Sequence, residues 1–299
     1  METNDEMNKI TQRYVDILSD AGFKAVFGDQ RNRDALTDLL NAMLPDDRKV
    51  KELTYSTTEI PGFTLSGKSV RLDLRCIGED GRNFIVEMQC YKQEYFFRRC
   101  VEYAAKVYDS GARAGAESGE YNIPPVYFIG LINCSTFGDR SDPRRKDRFI
   151  SEYTFREKQM MDTPDETIFL IFAELNRFRK QLDECQSLTD KWCYALKHIG
   201  ELAERPDRLD QKVFEKFFRA CEIARFDNEQ KLQYVKDMIT ERDQINIINT
   251  ARKEGMEKGI EKGRSEERTN IAKAMKSMGM DAETIIKATG LSETEVAEL

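Results

Sequence analysis

Asp73 and Glu87 are the residues of this chain best placed to do chemistry together. Each lies mid-run in a segment that alternates with period two, as a strand does. In SVRLDLRCI (69–77), Val70, Leu72, Leu74 and Cys76 share one face, and Arg71, Asp73 and Arg75 share the other. In NFIVEMQC (83–90), Phe84, Val86, Met88 and Cys90 share one face, and Ile85, Glu87 and Gln89 the other. The linking GEDGR fits a three-residue loop, Glu79-Asp80-Gly81: a type I turn, then a left-handed glycine and a G1 bulge. That loop pairs Gly78 with Arg82, Arg75 with Ile85, Asp73 with Glu87 and Arg71 with Gln89. A two-residue Asp80-Gly81 turn would shift the register by one and mix charge into each apolar face, so the hydrophobic pattern selects the longer loop. Asp73 and Glu87 then sit opposite one another with Cβ atoms about 4.5–5.5 Å apart. Two acids side by side in a half-buried sheet repel, which raises one pKa. A divalent cation relieves that cost, and paired carboxylates with open water positions suit Mg²⁺ or Mn²⁺. Such an ion activates water and stabilises charge on a phosphoryl oxygen. Spacing alone leaves a second reading open, a surface face on which the two acids simply pair with Arg71 and Arg75.

The elements that must position this pair follow from periodicity. Residues 1–45 read as helical, with Ala35, Leu36, Leu39, Leu40 and Met43 at helical spacing and Pro45 as the stop. ELTYSTTEI (52–60) is β-rich. Residues 93–116 predict a long helix with core positions Phe97, Val101, Ala104, Ala105 and Tyr108. PVYFIGLINC (125–134) and TIFLIFAEL (167–175) are nearly continuous apolar runs, the pattern of strands covered on both faces, with ISEYTF (150–155) between them. This is an α/β domain, a mixed sheet flanked by helices, over residues 1–175. Helical periods alone follow, as an all-α extension over 176–254 with helices at 187–200, 209–226 and 228–254.

Next comes a Gly/Glu/Lys-rich stretch over 255–268, in which Gly255, Gly259 and Gly263 recur every four residues. It reads as a solvated charged linker or as a helix whose glycine face admits a partner helix. Residues 269–299 predict a small helical hairpin, with Asp281 and Ser292 as N-caps and Glu295 completing a capping box. It resembles a helix-turn-helix. The would-be recognition helix, ETEVAEL, is acidic and favours protein contacts, including a homo-oligomer through the C-terminal helices.

Composition excludes several classes. The 299 residues carry 47 basic and 54 acidic side chains, a net charge of −7, which argues against indiscriminate coating of nucleic acid and leaves room for a local basic cleft. One histidine, His198, excludes a multi-histidine zinc site and disfavours a Ser-His-Asp hydrolase. The seven cysteines contain no CxxC and are odd in number, which fits buried thiols in a reducing cytoplasm. No run approaches the roughly 20 apolar residues of a membrane span, and METNDEMNKITQRY is not a signal peptide.

The order D-x13-E-x-Q on adjacent strands, preceded by DAGFKAVFG (20–28), resembles the PD-(D/E)XK nuclease superfamily. More narrowly, with RRCVEYAAKVY (98–108), SGEYNIPPVYFIGLIN (118–133) and the terminal hairpin, it is similar to the Rpn family of recombination-promoting nucleases and transposase-like proteins. The resemblance implies a restriction-endonuclease-like fold and a metal-dependent DNA endonuclease using Mg²⁺ or Mn²⁺. Asp73 and Glu87 would be metal ligands. Gln89 would take the place of the superfamily's lysine, as it commonly does in the nearer family. Its amide carries no charge but can orient water or contact phosphate. Asp20 reads either as an additional acid or as the cap of its helix. Candidate DNA contacts are Arg71, Arg75, Lys92, Arg98 and Arg99, with the loop residues Arg144, Arg145, Lys146 and Arg148. A catalytically silent DNA- or protein-binding member of the same fold, and an oligomerising interaction protein, stand as alternatives.

Overall fold

The computed structural model describes residues 12–60, 69–91, 93–114, 122–134, 143–145 and 147–299. In chain order these form α1 (Asp20–Phe27), α2 (Arg33–Met43), β1 (Leu53–Tyr55), β2 (Glu59–Ile60), β3 (Val70–Arg71), β4 (Leu74–Gly78), β5 (Asn83–Gln89) and α3 (Phe96–Ala114). Then come β6 (Val126–Ile132), β7 (Ile150–Thr154), β8 (Ile168–Glu174), α4 (Leu188–His198), α5 (Lys212–Cys221), α6 (Asn228–Ser277), α7 (Ala282–Thr289) and α8 (Glu293–Ala297). The chain divides into two compact units, 1–238 and 239–299.

The first unit is built on a six-stranded mixed sheet of order β1-β4-β5-β6-β8-β7. β5, β6 and β8 run parallel, and β1, β4 and β7 pair antiparallel at the flanks. Even and odd positions of β5 face different cores. Phe84, Val86 and Met88 join a large cluster with Phe23, Leu36, Leu40, Trp192 and Phe217 from the helices on that side. Ile85 joins a smaller cluster with Phe128, Leu170 and Phe172, covered by Phe96, Cys100, Ala104 and Val107 of α3. Burial on both faces is why β5, β6 and β8 are so apolar. α4 and α5, from the helical stretch after residue 175, contribute Trp192, Phe214 and Phe217 to the same cluster as the sheet.

Several expectations need correction. Residues 12–45 are not one helix: 12–18 are irregular, α1 ends at Phe27, and an Asp29-capped turn separates it from α2. The buried face of α3 matches the expected one only in part: Ala104 is buried as expected and Tyr108 packs partly buried against the same cluster, but the rest of the face is turned by one residue. Phe96, Cys100, Ala104 and Val107 are buried, whereas Phe97 and Val101 are 37% and 38% exposed. The sequence doubles its apolar positions there (96/97, 100/101, 104/105, 107/108), so two adjacent stripes satisfy the same period. The segment over 255–268 lies within α6 and is helical. A Cβ added at Gly255, Gly259 or Gly263 would meet nothing within 4 Å.

In the second unit Ala272, Ile285, Leu291 and Val296 form a small core. Asp281 caps α7, and Ser292 with Glu295 forms the capping box of α8.

Gly130 of β6 lies opposite Glu87 in the parallel ladder. A Cβ there would come within 2.6 Å of the Phe172 ring. That ring is fully buried and held by Phe96, Phe97, Phe128 and Tyr153, so it has nowhere to move. Gly130→Ala is expected to destabilise the protein by about 1–3 kcal/mol through overpacking. A denaturation midpoint equal to wild type would contradict this.

Candidate active site

The loop at the β4–β5 hairpin fixes the register. Gly81 takes φ +82°, its N–H donates to Gly78 O, and Gly78 N–H donates to Arg82 O. Leu74 then pairs with Val86 and Arg75 with Ile85, the expected alignment. The ladder stops at Leu74, however, and Asp73 lies outside it. An unbroken strand would pair Leu72 with Met88. Instead Leu72 N–H donates to Thr58 O, and Val70–Arg71 pairs with Glu59–Ile60 in a separate two-stranded sheet. Leu72 enters the cluster under α3, while Leu74 and Cys76 enter the opposite one. The chain crosses between the two layers at Asp73.

That crossing frees two backbone donors, and the two carboxylates take them. Asp73 N–H donates to Glu87 Oε1 at 2.9 Å, and Met88 N–H donates to Asp73 Oδ2 at 3.1 Å. The acids are thus brought together by reciprocal bonds to backbone rather than by a continuous ladder. Both are largely buried, Glu87 at 5% exposure and the Asp73 side chain at 15%. The surface reading, in which they pair with Arg71 and Arg75, does not hold. Arg71 is exposed on β3, and Arg75 donates to Asn83 Oδ1 at 3.0 Å.

Burial, with the charge of Asp73 second, pushes the Glu87 carboxyl up to about 8. Burial also raises Asp73, against the pull of Lys24. Lys24 of α1 lies 3.3 Å from Asp73 Oδ1 and donates to Asp20 Oδ2 at 2.8 Å. Sequence reasoning missed Lys24; the signal available was its place four residues after Asp20 on one helix face. Asp20 does not cap α1. Ser19 does, accepting from Gly22 N–H, and Asp20 is an exposed first-turn residue tied to the site through Lys24.

Both the oxygen and the nitrogen of the Gln89 amide are bonded inside the protein. Its oxygen accepts from Arg99 Nη2 at 2.8 Å, and its nitrogen donates to Tyr91 O. Arg99, half-buried on α3, stacks over the Phe96 and Tyr103 rings and lowers the Glu87 pKa through its charge. Arg98 is exposed beside the Tyr95 ring. Arg144 is exposed, and Arg148 donates to Ile150 O. Lys92, Lys146 and the Arg145 side chain lie outside the described residues.

Among the described residues no third histidine, cysteine, aspartate or glutamate completes a metal cluster. The donor set still suits a hard dication: two oxygen-donor carboxylates, anchored by backbone N–H groups, whose pKa values are raised first of all by burial. A cavity of about 480 Å³ lies elsewhere, lined by residues of α1, α2 and α5 such as Ala25, Asp34 and Arg219, and does not include the pair.

A mixed six-stranded sheet flanked by helices, with two buried acids meeting at a broken strand, defines a restriction-endonuclease-like α/β protein. The chain matches the family model for the PD-(D/E)XK nuclease family transposase over residues 17–251, and it belongs to that family. Residues 265–299 match the C-terminal HTH domain of the Rpn/YhgA-like nuclease family, so the hairpin expected to serve protein contacts falls in a helix-turn-helix domain. No curated protein and no solved structure is matched by the chain. No helix among the described residues is long and apolar enough to cross a membrane.

The Glu87 shift has a stability consequence. Its folded value near 8 exceeds its ordinary 4.5. Between those limits the folded metal-free protein holds a proton that the unfolded chain has lost, so this contribution is present at low pH and disappears as pH rises through the window. Glu87→Gln keeps an oxygen acceptor for Asp73 N–H and removes the titration. In chelator, the variant is expected to melt about 5 °C above wild type at pH 8, with the gap closing near pH 4.5. An offset independent of pH would contradict this assignment.

Proposed function

We propose that this protein is a metal-dependent DNA endonuclease that hydrolyses phosphodiester bonds, with Asp73 and Glu87 as the residues that hold Mg²⁺ or Mn²⁺. The observation that carries the reading is the buried, mutually repelling carboxylate pair held by reciprocal bonds to backbone. When bound, the ion supplies a more acidic water and charge stabilisation on phosphoryl oxygens. Arg99 presents its guanidinium beside Glu87, where the scissile phosphate would lie, and Gln89 positions Arg99 rather than touching substrate. Exposed Arg71, Arg98, Arg144 and Arg148 offer contacts to the DNA backbone, and the helix-turn-helix domain offers a second DNA contact. Self-association through the C-terminal helices belongs to the same proposal, supported by exposed Ile247, Ile248, Met256 and Ile260 on α6. A reducing, cytoplasmic setting accords with seven free thiols.

Supercoiled plasmid with Mg²⁺ or Mn²⁺ tests the proposal. Wild type is expected to nick it only with metal, and Asp73→Ala to lower the rate about a hundredfold or more, the scale of losing a transition-state charge stabiliser. Undiminished nicking by a folded Asp73→Ala protein would remove the pair from the chemistry.

A further inference from the structure

Helix α1 lays an acid and a base across the edge of the carboxylate pair, one turn apart. Lys24 Nζ donates to Asp20 Oδ2 at 2.8 Å and sits 3.3 Å from Asp73 Oδ1. Among the described residues it makes the ion pair to Asp73, while the Arg99 guanidinium is held by Gln89. Lys24 and Asp20 are 45% and 57% exposed, whereas Asp73 is 15% exposed. The ammonium therefore has one buried and one solvated acceptor within reach of a single flexible stem. The i,i+4 pair with Asp20 belongs to the helix itself and survives whatever occupies Asp73.

We infer that Lys24 is the resident counter-ion of this site: it occupies Asp73 in the metal-free protein, competes with a divalent cation for that carboxylate, and withdraws onto Asp20 when the cation binds. The inference rests on the metal-site reading of Asp73 and Glu87. An ammonium and a dication sharing one carboxylate repel strongly at a few ångströms, so occupancy by one weakens the other. Withdrawal leaves no buried charge unpaired, because Asp20 is already bonded and wet. Lys24 thereby sets how tightly the site holds its metal, and Asp20 acts through Lys24 rather than as a ligand.

Titration calorimetry with Mn²⁺ alone, on the full metal-free chain, tests this. Lys24→Met is expected to bind Mn²⁺ about tenfold more tightly than wild type. Asp20→Asn is expected to bind it several-fold more weakly, since Lys24 is then left with Asp73 alone. The double variant is expected to match Lys24→Met. Unchanged or weaker binding in Lys24→Met overturns the inference, as does an Asp20→Asn effect that persists in the double variant. Asp20 is at the surface, so Asp20→Asn tests the same idea should Lys24→Met not fold. Wild-type binding abolished by Glu87→Gln but not strengthened by Lys24→Met overturns the inference alone. Absence of Mn²⁺ binding in wild type, or binding indifferent to Glu87→Gln, overturns the metal-site reading and the inference with it.

Discussion

The break in strand pairing at Asp73 is the constraint on which the site depends. An uninterrupted β4 would bury its backbone donors in the ladder and leave Asp73 and Glu87 as a cross-strand pair on one face. Because the chain changes layers there, Leu72 packs under α3, Leu74 packs on the far side, and the released N–H groups need acceptors. The two carboxylates fill that role for one another's strand. A buried backbone donor without a partner is costly, so the acids are fixed in place by the same bonds that let the strand turn.

Those bonds solve the backbone problem and create an electrostatic one. Hydrogen bonds from N–H groups favour the charged carboxylates, yet burial and mutual repulsion outweigh them at Glu87, whose pKa rises. The protein answers with charge from two neighbouring helices. Lys24 on α1 contacts Asp73, and Arg99 on α3, bonded to the Gln89 amide, lowers the Glu87 pKa through its charge. Gln89 itself is neutral, and its amide oxygen holds an arginine. The helices α1 and α3 lie against opposite faces of the sheet, which allows cations to approach the pair from both sides.

Much of this was legible in the residues. The alternation around GEDGR fixed the hairpin register, since any one-residue slip would have exposed Phe84 and Val86 and buried charge. The double-faced strands were legible from their continuous apolar runs. The break at Asp73 was not, because SVRLDLRCI alternates without interruption. Only the third dimension reveals that Val70 and Leu72 serve one core and Leu74 and Cys76 the other. Part of the α3 face escaped because two apolar stripes lie side by side. Lys24 escaped because its partner Asp73 is distant in sequence, and an Asp20–Lys24 pair looks like an ordinary surface bridge.

On the function proposed above, Asp73 and Glu87 hold a divalent cation. The most direct test of this is the melting temperature at pH 8 with and without saturating Mg²⁺. The account predicts that the ion raises the wild-type midpoint by about 5 °C or more, because it binds the folded state alone, and leaves Asp73→Asn unmoved. A wild-type midpoint indifferent to the ion, or an equal rise in Asp73→Asn, would contradict it.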